Sequence, residues 1–304
     1  MSSRRQFLRS AVAAGLGAPL LAGRAAAIDP VRRTGNVPIR LSVAAYSFRQ
    51  ELDLKRKPAP ALTLEGFIDR CAGYGVDAVE LTQYYFPETT PEYLARLKGR
   101  CTRLGLDVSG TAVGNDFCVR DPAKLAAQVE TVKRWAEHTA RLGGKTVRIF
   151  AGKAEKGDTE EAARARCVAA IEECCDHAGK FGVYLALENH GGIVTTPEQM
   201  LAVVKTVRHD WFGVNFDTGN FHGADPYADL ARIAPYAVTV QIKSEVQPAG
   251  GPKQDADFAR LIGILRGANY RGYVALEYEA QEDARTAVPR HLQALRRVLN
   301  GQSS

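Results

Sequence analysis

No two cysteines of this chain are spaced as CxxC, and no disulfide framework can be read from the six present. Cys174 and Cys175 are adjacent in a helical pattern and point in different directions. With Cys71, Cys101, Cys118 and Cys167 they are expected to be mostly buried thiols. Beyond residue 27 there is no apolar run long enough to span a membrane. There is no basic stripe with interleaved aromatics, so nucleic acid is not implied, and the formal charge of +6 owes several positives to the first residues. A glycine-rich turn after the first strand pattern is also missing. Tyr46-Ser47-Phe48-Arg49 stands there, which argues against an open dinucleotide-binding sheet.

What is present begins with Ser3-Arg4-Arg5-Gln6-Phe7-Leu8-Arg9, a twin-arginine pattern. A modestly apolar stretch from Ala11 to Ala22 and the small residues Ala25-Ala26-Ala27 follow in the order of a Tat export signal. Residues 1–27 are read as that signal, 28–40 as a linker and 41–304 as one domain, periplasmic or otherwise exported.

From residue 41 strand-like and helix-like segments alternate to the end. Strands are expected at about 41–47, 76–82, 106–112, 145–150, 183–188, 212–217, 237–243 and 272–278. Helices are expected at about 63–74, 91–104, 122–142, 159–179, 197–207, 226–234, 255–267 and 284–299. Glycine at several helix ends, such as Tyr74-Gly75 and Leu104-Gly105, suits a helix C-terminus. Eight such units with no second domain predict an α/β fold, a (β/α)8 TIM barrel.

Four of these strands end on polar or acidic residues: Glu188, Asp217, Gln241 and Glu277. Strand alternation sets each of them on the face opposite Leu187, Phe216, Ile242 and Leu276, so the polar face should line the barrel. The same reading turns Glu80 and Arg148 inward and sets Tyr46 near the end of the first strand. In a barrel these positions converge at the C-terminal mouth. Carboxylates gathered there repel one another unless a positive charge lies among them. A divalent cation answers that, and oxygen donors with an amide favour Mn²⁺ or Mg²⁺ ahead of Co²⁺, Zn²⁺ or Fe²⁺. Pairing with Arg148 or Lys243 is the alternative answer.

The segments Gly75-Val76-Asp77-Ala78-Val79-Glu80-Leu81, Ala186-Leu187-Glu188-Asn189-His190, Asn215-Phe216-Asp217-Thr218-Gly219-Asn220 and Ala275-Leu276-Glu277 resemble the sugar phosphate isomerase/epimerase family. Its xylose isomerase-like barrel is shared by tagatose epimerases, inosose dehydratases and hydroxypyruvate isomerases. The resemblance covers Leu41 to about Leu299. It implies metal ligands at Glu188, Asp217 and Glu277, with a fourth ligand that is usually histidine in a His-x-Lys strand. This chain has Gln241-Ile242-Lys243 there, and an amide oxygen ligates more weakly than imidazole.

The resemblance further implies proton abstraction beside a carbonyl through an enediolate, with Glu188 and Glu277 as base and acid. An isomerase or epimerase of a small sugar or keto sugar is the expected activity. A lyase or dehydratase acting on a 3-keto-glycoside or inosose is the alternative, and a non-catalytic sugar-binding barrel is another. Lys243 and His222 are further catalytic candidates. Tyr46, Glu80, His190 and Arg148 are candidates for substrate binding, with Phe48 and Tyr85 as further stacking walls. A related barrel serves repair endonucleases. Those need more histidine ligands for several zinc ions and a basic face for DNA, which six scattered histidines and the export signal oppose. The expected partner is a small carbohydrate, with self-association into a homo-oligomer left open.

Overall fold

The computed structural model describes residues 28–56 and 59–302. The twin-arginine segment lies outside the described residues. Ten strands are described: β1 (Arg40–Ala44), β2 (Ala78–Thr82), β3 (Asp107–Ala112), β4 (Thr146–Ile149), β5 (Tyr184–Glu188), β6 (Phe212–Asp217), β7 (Ala237–Ile242), β8 (Glu245–Val246), β9 (Gln254–Asp255) and β10 (Tyr273–Leu276). The helices are α1 (Arg49–Leu52), α2 (Leu64–Gly73), α3 (Pro91–Arg103), α4 (Pro122–Leu142), α5 (Glu160–Ala178), α6 (Pro197–Val204), α7 (Pro226–Ile233), α8 (Phe258–Gly267) and α9 (Ala284–Leu299). All eight expected strands and eight expected helices form, with ends trimmed by a few residues. The pattern did not reveal the short helix α1 or the two-stranded ribbon β8–β9, which are too short to show a period.

Eight strands close into a parallel barrel in the order β1-β10-β7-β6-β5-β4-β3-β2. Strand alternation sorts the side chains as the sequence pattern requires. Leu185, Leu187, Val214, Phe216, Val240, Ile242, Val274 and Leu276 are buried in the apolar layer between strands and helices. Several helices start on a side-chain cap that accepts a backbone N–H, such as Thr63, Asp121, Thr159, Thr196 and Asp257, and this satisfies groups the helix leaves unpaired. All six cysteines are buried free thiols; burial pushes those of Cys71 and Cys175 well up, and a hydrogen bond with Cys118, joined by burial, does the same to Cys167.

Inside the barrel the side chains are small or polar. Ser42 and Ser109 share a 2.9 Å hydrogen bond across β1 and β3. Two register shifts re-aim strands: between Val79 and Glu80 against β3, and between Val214 and Asn215 against β7. Each adds a residue to one strand, Ser109 in β3 and Val238 in β7, and increases the local twist. The stretch before β1 makes contacts with the barrel. Val31 donates its N–H to Pro235 O at 2.9 Å, the Arg33 guanidinium reaches Ala237 O at 2.6 Å, and Asn269 donates to Arg33 O at 2.6 Å. These contacts pin residues 31–33 beside the N-terminal end of β7.

Gly110 sits where β3 passes close to β4. A Cβ there would lie 2.3 Å from Thr146 Oγ1 and 2.7 Å from Thr146 O. Gly110→Ala should therefore lower unfolding stability by about 1–3 kcal/mol in urea titrations, with the barrel's circular dichroism retained. An unchanged midpoint would show that β3 and β4 can separate at this point.

Candidate active site

The polar ends of β4, β5, β7 and β10 and the loops after β1, β2 and β6 enclose a cavity of about 210 Å³ at the C-terminal mouth. Its lining includes Tyr46, Arg148, Glu188, His190, Lys243 and Glu277, all expected from the pattern. It also includes Tyr84, Phe150, Asn220 and Glu279, which the pattern did not assign.

Two positive groups hold the acids apart. Arg148 Nε stands 3.0 Å from Glu188 Oε2, and its guanidinium carbon lies 3.9 Å from the centre of the Phe150 ring. Arg148 also donates to Val113 O at 3.1 Å. Lys243 Nζ contacts Glu277 Oε2 and lies 3.0 Å from Glu279 Oε1 and 3.3 Å from Asp217 Oδ2. Amides tie the acids together from below. Asn215 donates to Glu188 Oε2 at 3.2 Å and to Gln241 Oε1 at 2.7 Å. Gln241 Nε2 donates to Glu80 Oε1 at 2.7 Å and to Glu277 Oε1 at 3.3 Å. Asn220 caps Glu188 Oε1 at 3.0 Å. Asn189 clamps the Asp217 backbone, donating to its carbonyl and accepting its N–H, both at 3.0 Å.

Burial raises the carboxyl groups. Glu80 is pushed up to about 7 by burial and the neighbouring Glu277. Glu188 is pushed up to about 7 by burial, against the pull of Arg148. Asp217 is pushed up to about 8 by burial, against the pull of Lys243. Burial opposes the charge on Lys243, yet Asp217, Glu277 and Glu279 around it hold its pKa well above the ordinary lysine value. Burial likewise opposes the Arg148 charge, and Glu188, Tyr84, Glu277 and Glu80 together outweigh it.

The expected site residues do not all reach the cavity. Glu80 is buried below Gln241 and lines no part of it. Gln241 points its NH₂ group at two carboxylates and its oxygen at Asn215, so neither end faces the mouth. His222 follows a loop that turns outward; it is exposed, bonds Gln247 O at 3.1 Å and borders a separate small cavity. Phe48 and Tyr85 are packed into the apolar core and form no stacking wall. Tyr46 and Tyr84 form that wall instead, edge to face with centroids 6.4 Å apart, and Phe150 and His190 stand at 4.4 Å as a second aromatic pair. Burial lowers the His190 pKa, which favours the neutral imidazole. The tandem Tyr84-Tyr85 carried no periodic signal to say which ring faces in. Glu279 lies two residues beyond Glu277, past the end of β10, and that spacing was the one available hint.

Among the described residues no three His, Cys, Asp or Glu side chains are drawn together as in a metal centre. Lys243 and Arg148 stand between the carboxylates. Charge and donor chemistry nevertheless fit. Four buried carboxyl groups, Glu80, Glu188, Asp217 and Glu277, face two buried cations, Arg148 and Lys243. Asp217 Oδ2 is buried and accepts no hydrogen bond. Hard oxygen donors with surplus negative charge suit Mn²⁺ or Mg²⁺. Glu188, Asp217 and Glu277 would supply the donors, and Gln241 would have to turn its amide to join them.

The family profile described as xylose isomerase-like TIM barrel matches residues 68–298. No curated protein matches the chain by sequence. Among solved structures, an L-ribulose 3-epimerase superposes with a TM-score of 0.69 at 20% identity, covering 86% of this chain and 96% of that one. A D-tagatose 3-epimerase-like protein gives 0.68 at 14% identity, covering 86% and 99%. The 3-keto-D-glucoside 4-epimerase from E. coli gives 0.65 at 17% identity, covering 85% and 99%. At these identities the likeness is one of fold.

Surplus buried charge has a consequence for stability. The Glu80 carboxyl ionises near 7 in the folded protein against 4.5 ordinarily, so its folding penalty is absent below pH 4.5 and grows as pH rises toward 7. In metal-free protein, Glu80→Gln should raise stability by on the order of 1–3 kcal/mol at pH 7.5, and the gain should fade at pH 4.5. Thermal unfolding of both proteins across that range checks this; a loss at pH 7.5 would mean that the Glu80 charge is needed to hold Gln241.

Proposed function

Since the chain belongs to the xylose isomerase-like TIM barrel family, we propose that the protein is a divalent-metal-dependent isomerase or epimerase of an unphosphorylated sugar or keto sugar. The observation that carries this is the placing of two carboxyl groups, Glu188 on β5 and Glu277 just after β10, around one cavity of about 210 Å³ walled by aromatic rings. Strands β6 and β7 separate β5 from β10, so the two groups approach a bound molecule from well-separated sides.

Such a pair serves a reaction that removes a proton beside a carbonyl and returns one. One carboxylate takes the proton from carbon, and the electrons of that C–H bond form the enediolate. The other group protonates the same carbon from the opposite face in an epimerase, or the neighbouring carbon in an isomerase. Burial raises Glu188 to about 7, which makes it a stronger base than an exposed carboxylate. Arg148 and Lys243 line the cavity and would stabilise negative charge that develops on substrate oxygens. A divalent cation held by Glu188, Asp217 and Glu277 would supply further Lewis-acid polarisation of the carbonyl. Tyr46, Tyr84 and Phe150 offer apolar faces to a sugar ring, and Asn220 and Glu279 offer hydrogen-bonding groups.

The acidic excess of the mouth disfavours a phosphorylated substrate, because both buried cations are already engaged by carboxylates. The twin-arginine pattern supports the same choice, since an exported enzyme meets free sugars.

A lyase reading has one observation in its favour. Beside the cavity, between the loops after β1 and β10, lies a groove of about 450 Å³ bordered by Arg49, Tyr278 and Ala280. It has room for a leaving group attached to the sugar. In that reaction the enediolate electrons re-form the carbonyl system, the bond to the leaving oxygen breaks, and the acid carboxyl protonates that oxygen.

Incubation of the Mn²⁺-loaded protein in D₂O with ketoses, inososes and 3-keto-glycosides, followed by proton NMR, tests the proposal. Loss of the proton beside the carbonyl is expected for one class, and Glu188→Gln and Glu277→Gln should each slow it by about 10²–10⁴-fold. Exchange that survives in both variants would remove these carboxylates from the chemistry. The product then separates epimerase, isomerase and lyase.

A further inference from the structure

Lys243 has a setting that ordinary ion pairing does not require. Its ammonium is nearly surrounded by Asp217, Glu277 and Glu279, and the residue is only 7% exposed. The turn after β6 clamps the rest of it. Lys243 N donates to Thr218 Oγ1 at 2.8 Å, and its stem packs on Gly219 so closely that a Cβ there would come 2.6 Å from Lys243 Cγ. The chain thus aims this ammonium at two of the carboxylates a divalent cation would need. Gln241 assists, since its NH₂ group holds the other oxygen of Glu277 at 3.3 Å.

A second position is open to the ammonium. Beside Lys243 lies a cavity of about 50 Å³ bordered by Asn220, Glu245 and Glu279. That exceeds the roughly 10–15 Å³ that one water-sized group requires. A Lys243 side chain swung into it would keep Glu279 as a partner, would share Glu245 with Lys253, which also borders the cavity and lies 3.3 Å from Glu245 Oε2, and would free Asp217 and Glu277.

We infer that Lys243 is a resident cation of the mouth and that a divalent metal binds by displacing its ammonium toward Glu279 and Glu245. The inference rests on the metal-dependent reading above and deepens it: metal affinity is set by competition with a charge the chain itself carries. The metal-free barrel then keeps its acidic mouth neutralised, and the loaded barrel gains a mobile ammonium at the edge of the substrate cavity.

Calorimetric titration of the mature protein with MnCl₂ tests this, comparing wild type with Lys243→Met and Lys243→Arg. Lys243→Met removes the competitor and should bind Mn²⁺ about tenfold or more tightly, whereas Lys243→Arg should show no such gain. In EDTA, Lys243→Met should also melt at lower temperature than wild type, and saturating Mn²⁺ should close that gap. Should Lys243→Met fail to fold without metal, wild-type protein carries the test through acetic anhydride labelling read by mass spectrometry. Lys243 should be protected in EDTA and labelled in saturating Mn²⁺. Equal Mn²⁺ affinity in wild type and Lys243→Met, or labelling that ignores the metal, overturns the inference while leaving the metal reading intact. Absence of Mn²⁺ binding in every protein overturns both.

Discussion

Surplus negative charge buried at the mouth of the barrel is the constraint on which the rest of the site depends. Glu80, Glu188, Asp217 and Glu277 are all nearly inaccessible to water and lie on neighbouring or facing strands. Left bare they would neutralise by taking up protons or force the strands apart. Arg148 and Lys243 oppose both without cancelling the effect of burial, each planted on a strand or at its end among the acids it serves. The amides complete the arrangement: Gln241 and Asn220 donate to carboxylate oxygens that the two cations do not reach, and Asn215 shares Glu188 Oε2 with Arg148. The same feature that strains the fold makes the mouth suited to proton transfer, because a carboxyl group with raised pKa is both a better base and a usable acid near neutral pH.

The architecture confines that strain to one end. Apolar side chains on alternate strand positions meet the helices and form a continuous hydrophobic layer. The polar positions between them face the axis, where eight strands leave space only for a packed interior. Lower in the barrel the interior row is neutral, as at Ser42 and Ser109. The charged row lies nearer the strands' C-terminal ends, where loops can open onto solvent and substrate. Extra residues in β3 and β7, opposite Glu80 and Asn215, shift the register at the level where the row turns ionic.

The barrel was largely legible in the chain, because each strand and helix carries its own period and boundary residues. Phe212–Asp217 and Tyr184–Glu188 were found almost to the residue, since both alternate and both end on a polar side chain. The gathering of Glu188, Asp217, Gln241, Lys243 and Glu277 was legible for the same reason. What each does there was not. The pattern offers Gln241 as a ligand without showing that, with no metal bound, its amide donates to Glu80 and Glu277. Tyr85 was read as a wall, and the fold buries it while presenting Tyr84. His222 left the site because a loop carries it outward, and loops have no period to read.

Alternation and spacing therefore determined by themselves that this chain is a (β/α)8 barrel and that its acids meet at one mouth. Both follow from local geometry, in which each side chain's face is set by its place along its own strand. Only the tertiary structure decided how those acids are neutralised, which aromatic rings face the cavity and where the amides point. Those choices depend on distances between residues far apart in the chain, such as Lys243 to Glu277 and Arg148 to Glu188, and on competition among several partners for one charge. No pattern along a single segment contains that information, because buried charges respond to everything within reach and not to their neighbours in sequence.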